Sequence, residues 1–289
     1  MLRTHAVALS LALLLPASAR AHPGSGIVVD RLGQIYFVDM VSGIWKIDTL
    51  GVLSHIPGPG FHWMTLDAAD RFRAAQLPTG PGGDIARIGG GPSVLIASSY
   101  PIAIGQDGNL YLPTHETGVP VQLLRLLPSG ERSVVTRIPG TLRDLNGLAA
   151  GPDGSFYYSE LNAIRRVSRD GQVSAVALNV APASCGSVPG LGPADRPLLR
   201  GLDVDAGGTV YVAATGCGSV LRITPDGRVS LLFQTESPWS PTGVALFGKD
   251  LYVLEFLGAA SDNRREMLPR VRKISPDGST RIIATVTRH

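Results

Sequence analysis

One four-residue phrase, apolar-variable-basic-apolar, returns six times along this 289-residue chain. Its copies are Ile44-Trp45-Lys46-Ile47, Ile85-Ala86-Arg87-Ile88, Leu123-Leu124-Arg125-Leu126, Ile164-Arg165-Arg166-Val167, Val220-Leu221-Arg222-Ile223 and Val271-Arg272-Lys273-Ile274. The basic residues lie 41, 38, 41, 56 and 51 positions apart. A period of this length marks an array of supersecondary units, each of which can bury its apolar faces only against its neighbours.

Each unit has a first half as well. Residues 26–39, 147–160 and 201–214 share one length and one pattern, an apolar run, a Gly-containing turn and a second apolar run with Tyr36, Tyr157 or Tyr211 near its middle. Residues 101–114 and 243–255 repeat it with Tyr111 and Tyr252, and residues 63–76 repeat it weakly, with Arg73 at the tyrosine position. Short runs rich in Val, Ile, Leu and Tyr, split by Asp-Gly or Gly-Gly, predict strand, tight turn, strand. The basic-centred run and the run after its Gly turn add two more strands. The expected fold is all-β: a six-bladed β-propeller of four-stranded antiparallel blades, with residues 22–289 as one domain of roughly 45 residues per blade. The 35 Gly and 22 Pro suit a fold made largely of turns. No window beyond residue 22 keeps a clean helical period.

Residues 1–21 differ in kind. Met1-Leu-Arg-Thr-His opens with a basic residue, Ala6 to Leu15 is apolar throughout, and Pro16-Ala-Ser-Ala-Arg-Ala21 offers small-x-small cleavage sites after Ala19 or Ala21. This pattern predicts a secretory signal, too short to span a membrane, and a periplasmic or secreted product. Without Arg3 and Arg20 the formal charge of +3 falls to about +1. The basic residues are distributed one per blade instead of forming a patch, so no nucleic-acid partner is expected. On a third strand they should lie across the sheet and pair with neighbours. A monomer is expected.

The two cysteines follow from the same topology. Cys217 falls in the turn between second and third strands of blade five, and Cys185 in the long connection Val180 to Leu199 that leads into that blade. Both connections leave the same face, so a Cys185–Cys217 disulfide is expected, with Cα atoms within about 7 Å.

Function is expected on that face, where first strands begin and second strands end around the axis. The first-strand ring is Ser25, His62, Tyr100, Asn146, Arg200 and Thr242. The second-strand ring is Asp39, Gln76, Thr114 with His115 and Glu116 beyond it, Glu160, Ala214 and Glu255. Three readings stay open for this polar rim. Asp39, Asn146, Glu160 and Glu255 could hold calcium or magnesium, or zinc with help from His62 or His115, in a metal-assisted hydrolase or lyase. Arg200 could bind the carboxylate or phosphate of a small ligand, with His62, Tyr100, Asn146, Thr242 and Glu255 around it and Glu160 or His115 as general base. In the third reading the acids pair with Arg200 and with waters in a wet channel, and the face binds without catalysis. The alternative of a different class is a non-catalytic interaction module that uses residues 180–199 and 256–269 as a binding rim.

Several phrases also resemble a known superfamily. Ile35-Tyr-Phe-Val-Asp-Met40 followed by Ile44-Trp-Lys-Ile-Asp48, Leu145-Asn-Gly-Leu-Ala149 with Pro152-Asp-Gly154, and Val220-Leu-Arg-Ile-Thr-Pro-Asp-Gly227 are similar to the regucalcin/gluconolactonase family and the related NHL-repeat propellers. The resemblance covers nearly all of residues 22–289 and implies the propeller fold. In the lactonases it implies an axial divalent metal held by a Glu, the Asn of an Asn-Gly pair and the Asp of an Asp-Gly pair. Asn146-Gly147 matches the second of these, while Ser25-Gly26 and Arg200-Gly201 stand at the other two.

Overall fold

A computed structural model describes residues 23–75, 77, 85–88, 93–114, 120–139, 145–180, 182, 185, 188–189, 196–258, 261 and 263–288. Residues 1–21, with the expected signal segment, lie outside the described residues, as do Gln76, His115 and Glu116.

The repeats fold into six sheets. Blade one holds β1 (Ile27–Val29), β2 (Ile35–Asp39), β3 (Gly43–Ile47) and β4 (Leu53–Pro57), and blade two holds β5 (Trp63–Asp67), β6 (Ile85–Ile88) and β7 (Val94–Ser98). Blade three holds β8 (Ala103–Ile104), β9 (Leu110–Pro113), β10 (Gln122–Leu126) and β11 (Arg132–Arg137). Blade four holds β12 (Gly147–Ala150), β13 (Phe156–Ser159), β14 (Ile164–Val167) and β15 (Val173–Ala177). Blade five holds β16 (Leu199–Val204), β17 (Val210–Ala214), β18 (Ser219–Ile223) and β19 (Val229–Gln234). Blade six holds β20 (Trp239–Phe247), β21 (Asp250–Leu257), β22 (Leu268–Ile274) and β23 (Thr280–Thr285). Helix is confined to the short 3-10 turns Thr215–Cys217 and Arg264–Glu266 among the described residues.

The first strands touch in the order β1, β5, β8, β12, β16, β20 and back to β1, which closes a ring around one axis. Among the described residues no strand is exchanged between the first and last blades. Blades one and six each keep all four of their own strands. The seam between them is sealed by apolar packing of Ile27, Phe37, Ile44, Tyr252, Leu254, Phe256, Val271 and Val286 in one core cluster.

In five blades the repeat tyrosine stands directly opposite the repeat basic residue: Tyr36 with Lys46, Tyr111 with Arg125, Tyr157 with Arg166, Tyr211 with Arg222 and Tyr252 with Lys273. The Lys46 and Lys273 amines lie 5.8 and 6.0 Å from the centroids of their tyrosine rings. Tyr36, Tyr111 and Tyr211 donate to the turn carboxylates Asp30, Asp107 and Asp205 at 3.3, 2.8 and 3.4 Å. The basic phrase is thus a cross-strand staple on the sheet surface, a pairing of the kind that stabilises each blade by up to about 1 kcal/mol.

Blade two departs from the repeat reading. Its strands lie in the order β5-β7-β6, three strands among the described residues, so Val94–Ser98 takes the second-strand place expected for residues 71–76. The physical reason is burial. A second strand is covered on both faces, as the fully buried β2, β9 and β13 show. Val94–Ser98 is likewise buried along its whole length, whereas residues 71–76 carry Arg71 and Arg73. The intervening chain turns back instead, with the Asp67 carboxylate accepting from the Phe72 amide at 2.7 Å.

The two faces of the ring differ. On one, nine of the hairpin loops contain five residues, each with a positive-φ glycine at its fourth position, such as Gly33, Gly130 and Gly227 at φ 82°, 89° and 80°. Only glycine takes up that conformation without steric cost. On the other face the connections vary, reaching the stretch between Ala177 and Leu199.

Candidate functional site

The varied face carries the axial rim, and glycine decides how tightly it is drawn. Gly26, Gly147, Gly201 and Gly243 occupy the same inner-strand position in four blades. A Cβ on Gly26 would sit 2.7 Å from the Met64 nitrogen of the next blade, one on Gly147 2.6 Å from the Arg200 oxygen, and one on Gly201 2.8 Å from the Gly243 Cα. Glycine therefore lets adjoining inner strands meet backbone to backbone. Blade two has Trp63 at this level, whose indole N–H reaches across to the Asn146 carbonyl at 3.2 Å.

Residues 23–26 are built into this rim. Ser25 and Gly26 donate to the His62 carbonyl at 2.6 and 2.9 Å, Thr242 donates to the Gly24 carbonyl at 2.7 Å, and Arg200 donates to the Pro23 carbonyl at 3.0 Å. Residues 23–26 are all buried. The expected first-strand ring is thus drawn together around them: Ser25, His62, Arg200 and Thr242 join through these bonds, and Asn146 through Trp63. Tyr100 opens the inner segment of blade three, half-buried, with its amide donating to the Ser98 hydroxyl at 3.0 Å. Arg200 is 7% exposed, and burial lowers its pKa to about 10.

The second-strand ring is organised differently. Each of its described carboxylates is taken up by a donor on its own third strand. Asp39 accepts from the Trp45 indole at 3.2 Å, Glu160 accepts from Arg165 at 2.9 Å through both oxygens, and Glu255 accepts from Arg272 at 3.0 Å. Asp39 also accepts from Ser42 at 2.7 Å, from the Val41 amide at 3.0 Å and from Arg288. Burial alone would raise the Asp39 carboxyl, but these donors outweigh it and hold the pKa below its ordinary value. Thr114 caps its own hairpin by accepting from the Gln122 amide at 2.9 Å, and Ala214 is fully buried. In blade two the end of β7 stands where Gln76 was expected.

Glu255 anchors a larger network. Its two oxygens accept from Arg270 at 2.5 Å, Arg272 at 3.0 Å and Thr235 at 2.8 Å. Glu236, on the link between blades five and six, accepts from Arg270 at 2.6 Å and from Arg272 at 2.7 Å. Arg270 stacks 3.9 Å over Trp239 and Arg272 4.8 Å over Phe233. Glu255 is wholly buried, so this cluster ties the link to blade six with every charge matched.

These contacts decide the fit of a divalent ion. Among the described residues no three His, Cys, Asp or Glu side chains come together to hold a metal. Glu160 and Glu255 are committed to arginines, and Asp39 to Arg288, Ser42 and Trp45. Asp39, Asn146, Glu160 and Glu255 therefore do not fit the oxygen cage that calcium or magnesium requires.

Cys185 and Cys217 are bonded as expected, with Cα atoms 4.5 Å apart. The bond pins the connection between blades four and five to the turn at Thr215–Cys217.

One carboxylate on the axis escaped the sequence reading. Below the glycine level the inner strands enclose a channel of about 260 Å³ lined by all six blades, and Asp203 on β16 is the charged residue of that lining. It accepts from its neighbour Val204 at 2.8 Å and, across the blade boundary, from Leu246 at 2.8 Å. Burial raises its pKa to about 6. The signal was present in the repeats: the equivalent positions are Val28, Thr65, Ala103, Ala149 and Ala245.

Comparison with solved structures finds the same architecture. Virginiamycin B lyase from Staphylococcus aureus superposes with a TM-score of 0.54 at 16% identity, over 93% of this chain and 86% of that one. A gluconolactonase from Xanthomonas campestris gives 0.54 at 16% identity, over 81% and 83%. Regucalcin from Agrobacterium tumefaciens, described as a calcium-binding protein, gives 0.52 at 14% identity, over 82% and 83%. No protein-family model matches the chain, and no curated protein matches it. At these identities the likeness is one of fold: the chain shares the six-bladed β-propeller architecture of these three proteins.

Proposed function

We propose that the protein binds a small anionic ligand, bearing a carboxylate or phosphate, at the axial rim of the face with varied connections. The observation that carries this reading is Arg200, a guanidinium 7% exposed at the axial end of an inner strand, with a pKa that burial lowers to about 10. It remains charged at neutral pH, and its planar guanidinium can donate charge-assisted hydrogen bonds to a carboxylate or phosphate. His62, Tyr100, Asn146 and Thr242 follow around the same ring and supply the imidazole, phenol, amide and hydroxyl groups that would orient the ligand. Glu160 and Glu255 are held by Arg165 and by Arg270 and Arg272, one strand further out.

Binding needs no metal in this reading, since the carboxylates do not gather to hold one. His115 lies outside the described residues, so binding and not turnover is the activity proposed. The gluconolactonase and lyase among the structural neighbours lend support to a small-molecule site on this fold. The leader-like residues 1–21 and the Cys185–Cys217 bond favour an exported protein, working as a monomer in the periplasm or outside the cell.

The test is a titration of residues 22–289 with succinate, gluconate and inorganic phosphate, with glycerol as the neutral control. The reading expects at least one anion to bind saturably and raise Tm, with Arg200→Ala losing the effect and Arg200→Lys keeping part of it. Equal binding of glycerol, or an undiminished response in Arg200→Ala, would overturn it. A chain that binds none of them would return attention to the interaction reading and to residues 180–199 and 256–269.

A further inference from the structure

We propose that the axial channel is a second binding site, at the opposite end of the axis from Arg200, and that it takes a short-chain primary alkylammonium ion with its ammonium group on Asp203. The channel has the dimensions of a small organic cation, about 260 Å³, and reaches the inner strand of every blade. Its mouth is on the face with five-residue loops. Ile27, Met64, Ile102, Leu148, Leu202 and Val244, nearest the glycine level, are buried, whereas Val29, Leu66, Ile104, Ala150, Val204 and Leu246, two residues further along each strand, are half-exposed.

The lining selects the chemistry. A divalent ion needs several oxygen side chains, and the channel offers one carboxylate and, on the opposite side of the ring, the Thr65 hydroxyl. Thr65 is occupied as an acceptor from the Ile104 amide at 3.2 Å. The remaining lining side chains are aliphatic or methionine. One anionic group in an apolar sleeve fits a monocation with a hydrocarbon tail: the head pairs with the carboxylate and the tail displaces water from the walls. The carboxylate is fixed for this task. Each of its oxygens takes one backbone N–H, from Val204 and from Leu246, and each keeps a further lone pair for a donor in the channel.

Electrostatics point the same way. Burial raises the Asp203 pKa to about 6, and the one charged neighbour that acts on it, Asp205, raises it further. Among the described residues no basic one lines the channel. An ionised Asp203 therefore lacks a cation within the channel lining, and bound ammonium would supply one.

Calorimetric titration of residues 22–289 at pH 7.5 with methyl-, ethyl-, propyl- and butylammonium chloride tests the proposal, with propan-1-ol and potassium chloride as controls. Affinity should rise about fourfold per added methylene, the factor that burying one CH₂ implies, until the channel is filled. Propan-1-ol should not bind. Asp203→Asn should weaken alkylammonium binding at least tenfold, and Ala245→Leu, which fills the channel from blade six and leaves Asp203 in place, should abolish it. Binding should also weaken as the pH falls from 7.5 to 5. Absence of saturable binding, equal binding to Asp203→Asn, or competition by potassium at similar concentration would overturn the proposal. Arg200→Ala should leave the titration unchanged, so this site and the rim site fail or survive separately.

Discussion

The face with five-residue loops and the face with varied connections are built by the same six repeats, yet they solve the problem of ending a strand in opposite ways. On the first, one solution is used nine times: a five-residue loop whose fourth residue is a glycine at positive φ. On the second, particular connections have fastenings of their own. The disulfide pins the link between blades four and five. Glu236 and Glu255, locked to Arg270 and Arg272, pin the link between blades five and six. Arg288 is held on Asp39, and residues 23–26 are held on blades two, five and six. Where the backbone solution is shared, side chains are interchangeable. Where it is not, particular side chains carry the structure, and the same freedom lets them carry a binding site.

The comparison breaks most visibly if the private fastenings turn out to be dispensable. Glu255→Ala leaves Arg270 and Arg272 buried without the carboxylate beneath them and is expected to cost about 3–5 kcal/mol in urea unfolding, the usual penalty for half of a buried ion pair. A loss below about 1 kcal/mol would mean that the network is ornamental. Removing the disulfide with Cys185→Ser and Cys217→Ser together is expected to cost about 2–4 kcal/mol, read as a lower Tm that matches the reduced wild type.

Asp203 sharpens the comparison along the axis. Its folded pKa of about 6 lies above the ordinary carboxylate value, so the folded state binds the proton more tightly than the unfolded chain does. The group favours folding below about pH 4, and this advantage is lost as the pH rises to about 6 and beyond. Asp203→Asn is therefore expected to leave stability near pH 4 almost unchanged and to raise it by about 3 kcal/mol at pH 8. A variant destabilised at both pH values would show that the carboxylate is a structural acceptor and nothing more.

The smallest effect belongs to the uniform face. Replacing Leu127–Glu131 with the residues of Thr224–Arg228 exchanges one five-residue loop for another, each closed by a first-to-fifth backbone hydrogen bond, at 2.9 and 3.1 Å. Stability should change by less than about 0.5 kcal/mol. A larger loss would show that these loops are fitted to their own blades.

How much could be read in advance follows the same division. The blades, the order of the strands and the disulfide were legible because they depend on local turn chemistry and on a two-residue period that every repeat restates. Blade two was misread at Arg73, since the signal for its second strand lay in Val94–Ser98, a run the repeat order placed elsewhere. The rim acids Asp39, Glu160 and Glu255 are taken up by Trp45, Arg165 and Arg272 on their own third strands, not by Arg200. Blades one, four and six, which carry Asp39, Glu160 and Glu255, have Trp45, Arg165 and Arg272 just before the repeat basic residue, whereas blades three and five, with Thr114 and Ala214, have Leu124 and Leu221 there. That pairing was visible within the repeats, and it separates an acid satisfied across a hairpin from one aimed at the axis. What no repeat could disclose was the passage of residues 23–26 through the rim, where they meet blades two, five and six.

The central claim, that recognition belongs to the varied face, is tested most directly by hydrogen–deuterium exchange of residues 22–289 with and without the tightest anion found in the titration. The account predicts protection in peptides containing residues 23–26, His62, Tyr100, Asn146, Arg200 and Thr242, with the glycine loops around Gly33, Gly130 and Gly227 unchanged. Protection confined to those loops, with the rim unaffected, would contradict it.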